Sequence, residues 1–381
     1  MICTALEHLL FEDVMANVHS VTGREAILRA ARGLTDFAAC CGQSEAAHDI
    51  GYFLSKPGAL PRMPRLLLIG SEDLDSEAPR TEALLGAVLI FEQRVAGVGL
   101  GAFATNDRSG RGSLIARAPD RARVAGLAAE WLMHRGAHLV LMSFRGGEPG
   151  ETEGGLVGLL SGLRGRNDVR WTWREREIPG YLPLCPTLEA TLAGMGTRTR
   201  RNLRYYRRRA ELDLGATFIA DAKISRTEFL RFNRECMYAV PRRVANWRYE
   251  SLAELDEPIL MGMKDGTGRW LSLLGGRRYL DRSEILWQMN REGPKASSVG
   301  TAMRAYFVEH EIAHGSRRLY AEGGTGHSMS YSFVRERVTD LVVKRDTLAS
   351  KAMQLLACRY IPPDNELSRT LQSPALRWKS C

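Results

Sequence analysis

The sequence has 381 residues, 44% hydrophobic and 25% charged, an ordinary globular composition that argues against disorder and leaves room for two domains of roughly 150–200 residues each. Its best uncharged apolar run, Leu84–Phe91, has eight residues, far short of the roughly 18–20 that a membrane-spanning helix needs. The opening stretch MICTALEHLLFEDV carries acids where a secretion leader carries bases, so a soluble, cytoplasmic protein with no membrane span is expected. Seven cysteines form an odd set without a C-x-x-C pair, which speaks against a disulfide framework and a zinc ribbon; the adjacent Cys40 and Cys41 read as small buried residues of a helix. Net charge is +9 and is unevenly spread: residues 1–180 hold 20 basic and 22 acidic side chains, residues 181–381 hold 33 and 22. All but seven of the bases are arginine, the cation that forks onto phosphate, so the second half is expected to meet an anion.

In chain order, residues 1–50 read as helical, with Ala/Leu periodicity through Glu25–Cys40. Residues 51–80 read as a loop around a short strand at Leu66–Ile69. Strands follow at Leu84–Phe91, Ala96–Thr105 and Ser113–Ala116, then a helix at Asp120–His134 that stops at Gly136, and a strand at Ala137–Phe144. The Gly-rich residues 146–165 read as a loop with a short helix, and Val169–Glu175 as a strand. Two prolines within Ile178–Leu184 mark a domain junction. The order then recurs: a helix from Thr187, a very basic helix at Thr199–Leu212, a strand at Ala216–Ala220, a helix at Ser225–Tyr238, and an irregular stretch to Asp256. Strands at Pro258–Lys264, Arg269–Tyr279 and Glu284–Asn290 lead through a Gly/Ser/Pro loop to a helix at Thr301–His314 and a strand at Arg317–Ala321. The expected fold is α/β (α+β): two units, 1–178 and 179–350, each a mixed, mainly antiparallel sheet flanked by helices, with a tail at 351–381.

Two segments carry chemistry. Gly293, Pro294, Ser297, Ser298 and Gly300 precede the helix from Thr301; small residues there leave backbone N–H groups open at a positive helix end, a setting suited to a diphosphate, with Lys295 as counter-charge. Small residues before a helix also serve simply as caps. Further along, His310-Glu311-Ile312-Ala313-His314 matches H-E-x-x-H, in which His310 and His314 grip zinc and the glutamate is the base. Against zinc stand the helix stop at Gly315 and the lack of a third ligand at a persuasive spacing; two packed histidines are the other reading. The basic helix holds seven arginines from Arg198 to Arg209, with Tyr205 and Tyr206 between them. A solvated face explains such a run, as does a phosphate-rich ligand held by Arg201, Arg204 and Arg208, or RNA.

Tyr181-Leu-Pro-Leu184, Leu188 to Leu192, Thr197-Arg-Thr-Arg-Arg-Asn-Leu203 and Arg207-Arg-Arg209, followed by Ile285–Asn290, Ser298-Val299-Gly300, Thr301–Gly315 and Arg317–Gly324, resemble the acetyltransferase domain of the CelD-like (cellulose-biosynthesis-type) group of the bacterial GNAT acyltransferases. The resemblance covers about 180–345. Over 84–144 it is weaker and looks like the degenerate first unit of the tandem in that group and in Fem-type aminoacyl-tRNA-dependent transferases. It implies an N-acyltransferase that uses acetyl-CoA or another acyl-CoA and no metal. The donor diphosphate would lie on Ser297, Ser298, Val299, Gly300 and Thr301, beside Lys295. A small-molecule, sugar or peptide amine is then the acceptor, with tRNA a possible partner. It also implies Glu322 as general base, Tyr331 as acid and His327 as a rival for either role. The segment Gly323–Tyr331 departs from the group's pattern. Aminoacyl transfer from charged tRNA and a zinc hydrolase remain the alternatives.

Overall fold

The computed structural model describes residues 17–44, 46–55, 62–70, 81–95, 97–105, 113–145, 168–255, 257–293, 298–321, 328–348, 350–352 and 379–380. The chain divides into two compact units, Met1–Ile178 with Arg337–Cys381, and Pro179–Glu336. Among the described residues no helix is long and apolar enough to cross a membrane.

The first unit opens with strand β1 (Asn17–Thr22), turned by Gly23 at φ 88° into α1 (Arg24–Gly33), then α2 (Thr35–Cys40) and α3 (Ala46–Ser55). Strands β2 (Arg62–Gly70), β3 (Leu84–Val95), β4 (Val98–Ala104) and β5 (Leu114–Ala116) precede α4 (Arg121–His134), β6 (Leu139–Arg145) and β7 (Val169–Pro179). The apolar run Leu66–Ile69 is wholly buried in β2, as expected of a strand covered on both faces. Helix α4 packs Ala125, Ala128 and Ala129 onto the sheet, and the approach is so close that a Cβ on Gly86 would lie 2.6 Å from Val124.

The second unit runs β8 (Tyr181–Pro183), α5 (Leu188–Ala193), α6 (Thr197–Leu214), β9 (Thr217–Ile219), α7 (Arg226–Arg234), α8 (Arg242–Glu250), β10 (Pro258–Lys264), β11 (Trp270–Tyr279), β12 (Arg282–Asn290), α9 (Val299–Ala313) and β13 (Arg318–Ala321). The sheet order is β8-β13-β12-β11-β10-β9, with β12 and β13 parallel. Thr187 and Ser225 cap α5 and α7, each accepting a backbone N–H at 3.2 Å. One face of the sheet is covered by α5, α6 and α9 through Leu192, Leu203, Ala210, Met303 and Phe307; on the other, Phe229 of α7 meets Trp287 of β12 edge-on.

The chain then returns to the first sheet as β14 (Arg335–Arg345) and β15 (Lys379–Ser380), giving the order β1-β2-β3-β4-β6-β14-β7-β15 with β5 beside β3. Buried Asp340 of β14 accepts from Ser143 Oγ (2.7 Å), Arg174 Nε (3.0 Å) and Arg176 Nε (2.8 Å), so its carboxylate is fully supplied with donors.

Two mixed sheets flanked by helices agree with the expected fold class. Four details differ. Asn17–Thr22 is a strand rather than part of a helix, α8 lies within the stretch read as irregular, and Cys40 is exposed while Cys41 is buried. Strand β14 was not foreseen; it pairs with β6, and Arg337–Cys381 groups with the first unit.

Candidate functional site: a released strand edge beside a helix end

Among the described residues, strand β12 pairs with β13 from Arg282 to Ile285, opposite Arg318 to Ala321. There the register toward β11 also shifts, because Gly275 faces Trp287 while Gly276 faces Ile285, leaving Leu286 as an extra residue. Such a bulge bends and twists its strand. Glycine at 275 is required by the ring lying over it, since a Cβ would sit 2.1 Å from the Trp287 indole.

The same edge is taken up again farther along. Arg291 N–H donates to Leu271 O on the β11 side at 2.9 Å, so the carbonyl of Asn290 points the other way and accepts from Met237 N–H at 3.0 Å. Glu292 N–H donates to Glu235 O at 3.0 Å, and Cys236 bridges Arg291. Among the described residues, the β13-facing edge of β12 is therefore unpaired only from Leu286 to Met289, a window of about 13 Å at the usual strand rise. The segment closing its far end comes from the α7–α8 connection. Burial pushes the Cys236 thiol in that segment up to about 12, so it is not a nucleophile at neutral pH.

Helix α9 begins at the same end of β12. The carbonyl of Ser298 accepts from Thr301 (2.8 Å) and Ala302 (3.2 Å), and the Ser298 and Thr301 hydroxyls meet at 2.8 Å. The N–H groups of Val299 and Gly300 have no acceptor among the described residues, as at any open helix start. A polar cluster fixes this end: Gln288 Nε2 donates to Gly300 O and to Asn290 Oδ1, both at 3.0 Å, and Ser272 Oγ donates to Asn290 Oδ1 at 2.9 Å. Arg304, buried one turn into α9, donates to Gln288 Oε1 at 2.9 Å; burial lowers its pKa to about 10, which leaves it charged at pH 7. A fixed cation thus adds to the positive helix end. Sequence reasoning missed Ser272, Gln288, Asn290 and Arg304. The signal was there in the two polar residues that interrupt Ile285-Leu-Trp-Gln-Met-Asn290 and in an arginine on the inward face of a helix.

Of the diphosphate candidates, Ser298, Val299, Gly300 and Thr301 stand together at the start of α9, while Lys295 and Ser297 lie outside the described residues, as do Glu322 and His327. Tyr331 sits in the short turn Ser328–Ser332 with 81% of its surface exposed and no hydrogen-bond partner among the described residues.

The H-E-x-x-H motif is arranged for structure. Glu311 is fully buried, takes both guanidinium donors of Arg278 (2.8 and 2.6 Å), and accepts from the Ser283 hydroxyl. It is therefore not free to activate a metal-bound water, which corrects the zinc-hydrolase alternative. His310 stands edge-on to Phe218, and His314, exposed, places its Nδ1 2.9 Å from the His310 carbonyl. No group of three or more candidate ligands is found among the described residues.

On α6, acids from other elements and from its own last turns take part of the charge. Arg204 pairs with Glu189, Arg207 with Glu309 (2.7 Å) and Glu211 (3.2 Å), and Arg209 with Asp213 (2.6 Å). Tyr306 of α9 donates to Glu211 at 2.6 Å under the Arg207 guanidinium, so α6 and α9 are clamped; burial and that bond push the phenol up to about 12. Arg198, Arg200, Arg201 and Arg208 have no ion-pair partner among the described residues. Of the three arginines singled out for phosphate, Arg201 and Arg208 are thus available and Arg204 is engaged.

In the first unit the parallel pair β4–β6 shows no such window. Ala102–Ala104 pairs with Leu139–Leu141, and Thr105 continues the ladder through its N–H to Leu141 O (3.0 Å) and its hydroxyl, which accepts from Ser143 N–H (2.9 Å).

No family model and no curated protein matches the chain. Solved structures do. FemX is 10% identical, covering 89% of this chain and 99% of its own, with a TM-score of 0.50. L-PGS from Bacillus licheniformis is 14% identical over 87% of this chain and 96% of its own, with a TM-score of 0.46. A tandem GNAT protein from the clavulanic acid biosynthesis pathway is 10% identical over 87% and 99%, with a TM-score of 0.47. The fold is similar to that of FemX. At these identities the likeness is one of fold.

Proposed function

We propose that the chain is an N-acyltransferase that carries an acyl group from an acyl-CoA, acetyl-CoA first among them, to an amine, and that its second unit is of the CelD-like kind. The observation that carries this reading is the edge Leu286–Met289, unpaired among the described residues, beside the start of α9, whose first N–H groups have no acceptor among them. A strand edge without a neighbour offers N–H and C=O groups to an extended amide-bearing chain, and a pantetheine arm holds two amides. The open N–H groups of Val299 and Gly300, with Arg304 behind them, suit the diphosphate at the arm's end.

In the reaction the acceptor amine attacks the thioester carbonyl carbon and loses a proton to a base, and the thiolate leaves and takes one up. Glu322, which follows Ala321 in sequence, is the proposed base; Tyr331 is the proposed acid, with His327 as rival for either role. Acyl-CoA and charged tRNA are cytoplasmic compounds, and the cytoplasm is the proposed place of action. The test is thermal denaturation with CoA, acetyl-CoA and longer acyl-CoAs, followed by acetyl transfer to a panel of amines. A rise in melting temperature that needs the diphosphate portion supports the reading, and no rise with any CoA species overturns it.

Aminoacyl transfer from charged tRNA is favoured by one specific observation, the four arginines of α6 that have no ion-pair partner among the described residues, together with exposed Tyr205. Salt-sensitive binding of tRNA without any effect of CoA would select it.

A further inference from the structure

The first unit holds a cavity of about 250 Å³ at the end of α4, remote in sequence from the β12 window and independent of the acyl-transfer reading. Its walls come from Arg65 of β2, Glu92 of β3, Phe103 of β4, and Trp131 and Arg135 at the C-terminal end of α4. Gly101 and Gly136 also line it, at φ 59° and 90°, conformations that side chains resist.

Arg65 and Glu92 approach only to 3.7 Å, beyond hydrogen-bond range, and the Glu92 side chain is 13% exposed. Glu92 accepts no hydrogen bond among the described residues, and the Nε of Arg65 is buried without a partner. The carboxylate lies across Gly99, where a Cβ would be 2.2 Å from its Oε1. Buried polar groups in native proteins are hydrogen-bonded as a rule, so the partnerless Arg65 Nε, on a guanidinium that reaches Glu92 only as an ion pair at 3.7 Å, marks a place for a ligand with both a donor and an acceptor. A second cation, Arg135, lies 4.5 Å over the Trp131 ring, and Phe103 stands 5.9 Å from the Arg65 guanidinium.

We propose that this cavity binds a free α-amino acid with an aromatic or branched apolar side chain. Glu92 takes the ammonium, Arg65 and Arg135 take the carboxylate, and the side chain lies against Phe103 and Trp131. The volume equals roughly eight waters, which suits a molecule of about a dozen heavy atoms and excludes a nucleotide.

The test is calorimetric titration of the full chain with L-phenylalanine, L-leucine, phenylpropionate, which lacks the ammonium, and phenethylamine, which lacks the carboxylate. The expected result is saturable binding of an amino acid, with both truncated compounds at least about tenfold weaker. Glu92→Gln is expected to bring phenylalanine and phenylpropionate to similar affinity, and Arg135→Ala, at an exposed position, to weaken phenylpropionate but not phenethylamine. No saturable binding of either amino acid up to about 10 mM by a chain that melts cooperatively overturns the proposal; binding that Glu92→Gln leaves unchanged in affinity and selectivity does so too.

Discussion

Gly300 has no room for a side chain, because a Cβ there would lie 2.8 Å from the Asn290 amide that helps hold α9 to β12. Gly300→Val is therefore expected to cost about 1–3 kcal/mol by overpacking, to remain folded, and to abolish the CoA-dependent rise in melting temperature. Thermal denaturation with and without CoA measures both effects. Glu311 plays an opposite part, since it is a buried charge with its partners in place; Glu311→Ala leaves Arg278 and Ser283 without their acceptor and is expected to cost about 3–5 kcal/mol in urea denaturation. Burial and the neighbouring His314 hold the His310 pKa below the ordinary 6.5. The unfolded chain then takes up the proton first, so stability that is intact above pH 6.5 is lost as pH falls below it. His310→Phe is expected to flatten the fall in melting temperature between pH 7 and pH 5.

At the scale of elements, α6 divides its arginines between a clamp and an open face. Arg201→Glu with Arg208→Glu is expected to leave the melting temperature near that of the parent and, if tRNA is bound, to lower the salt slope of binding by about two, read by filter binding across a salt series. The two longest helices of this unit were legible in sequence, because Leu203, Tyr206, Ala210 and Leu214 repeat at helical spacing and Gly315 stops α9. Helix α8 was not, since it buries only Ala245 and so has no apolar period. Strand β14 was hidden by Asp340, a charge in a strand interior whose arginine partners lie some 165 positions earlier in the chain. The start of α9 could be read as an open helix end because its residues are contiguous. The window could not, because its limits are set by non-local pairing of β12 with β13 and with Glu235–Met237, and nothing local in sequence announces a strand edge that lacks a neighbour.

For the whole molecule, the second unit is an insertion into the first. Its ends are tied together: Gly180 N–H donates to Val334 O at 2.9 Å and Val334 N–H to Tyr181 O at 2.8 Å. A fragment of residues 179–336 is therefore expected to fold alone, with a single cooperative melt followed by circular dichroism, and to keep the response to CoA if the groove is the donor site. The first unit has no such freedom during synthesis. Its strand β14 lies between β6 and β7 yet leaves the ribosome after all of Pro179–Glu336, so the apolar edge of β6 waits about 10–30 s at ordinary translation rates for its neighbour. An exposed edge of that kind invites pairing with other nascent chains, which makes the birth of this protein, more than its finished state, the stage at which a chaperone would matter.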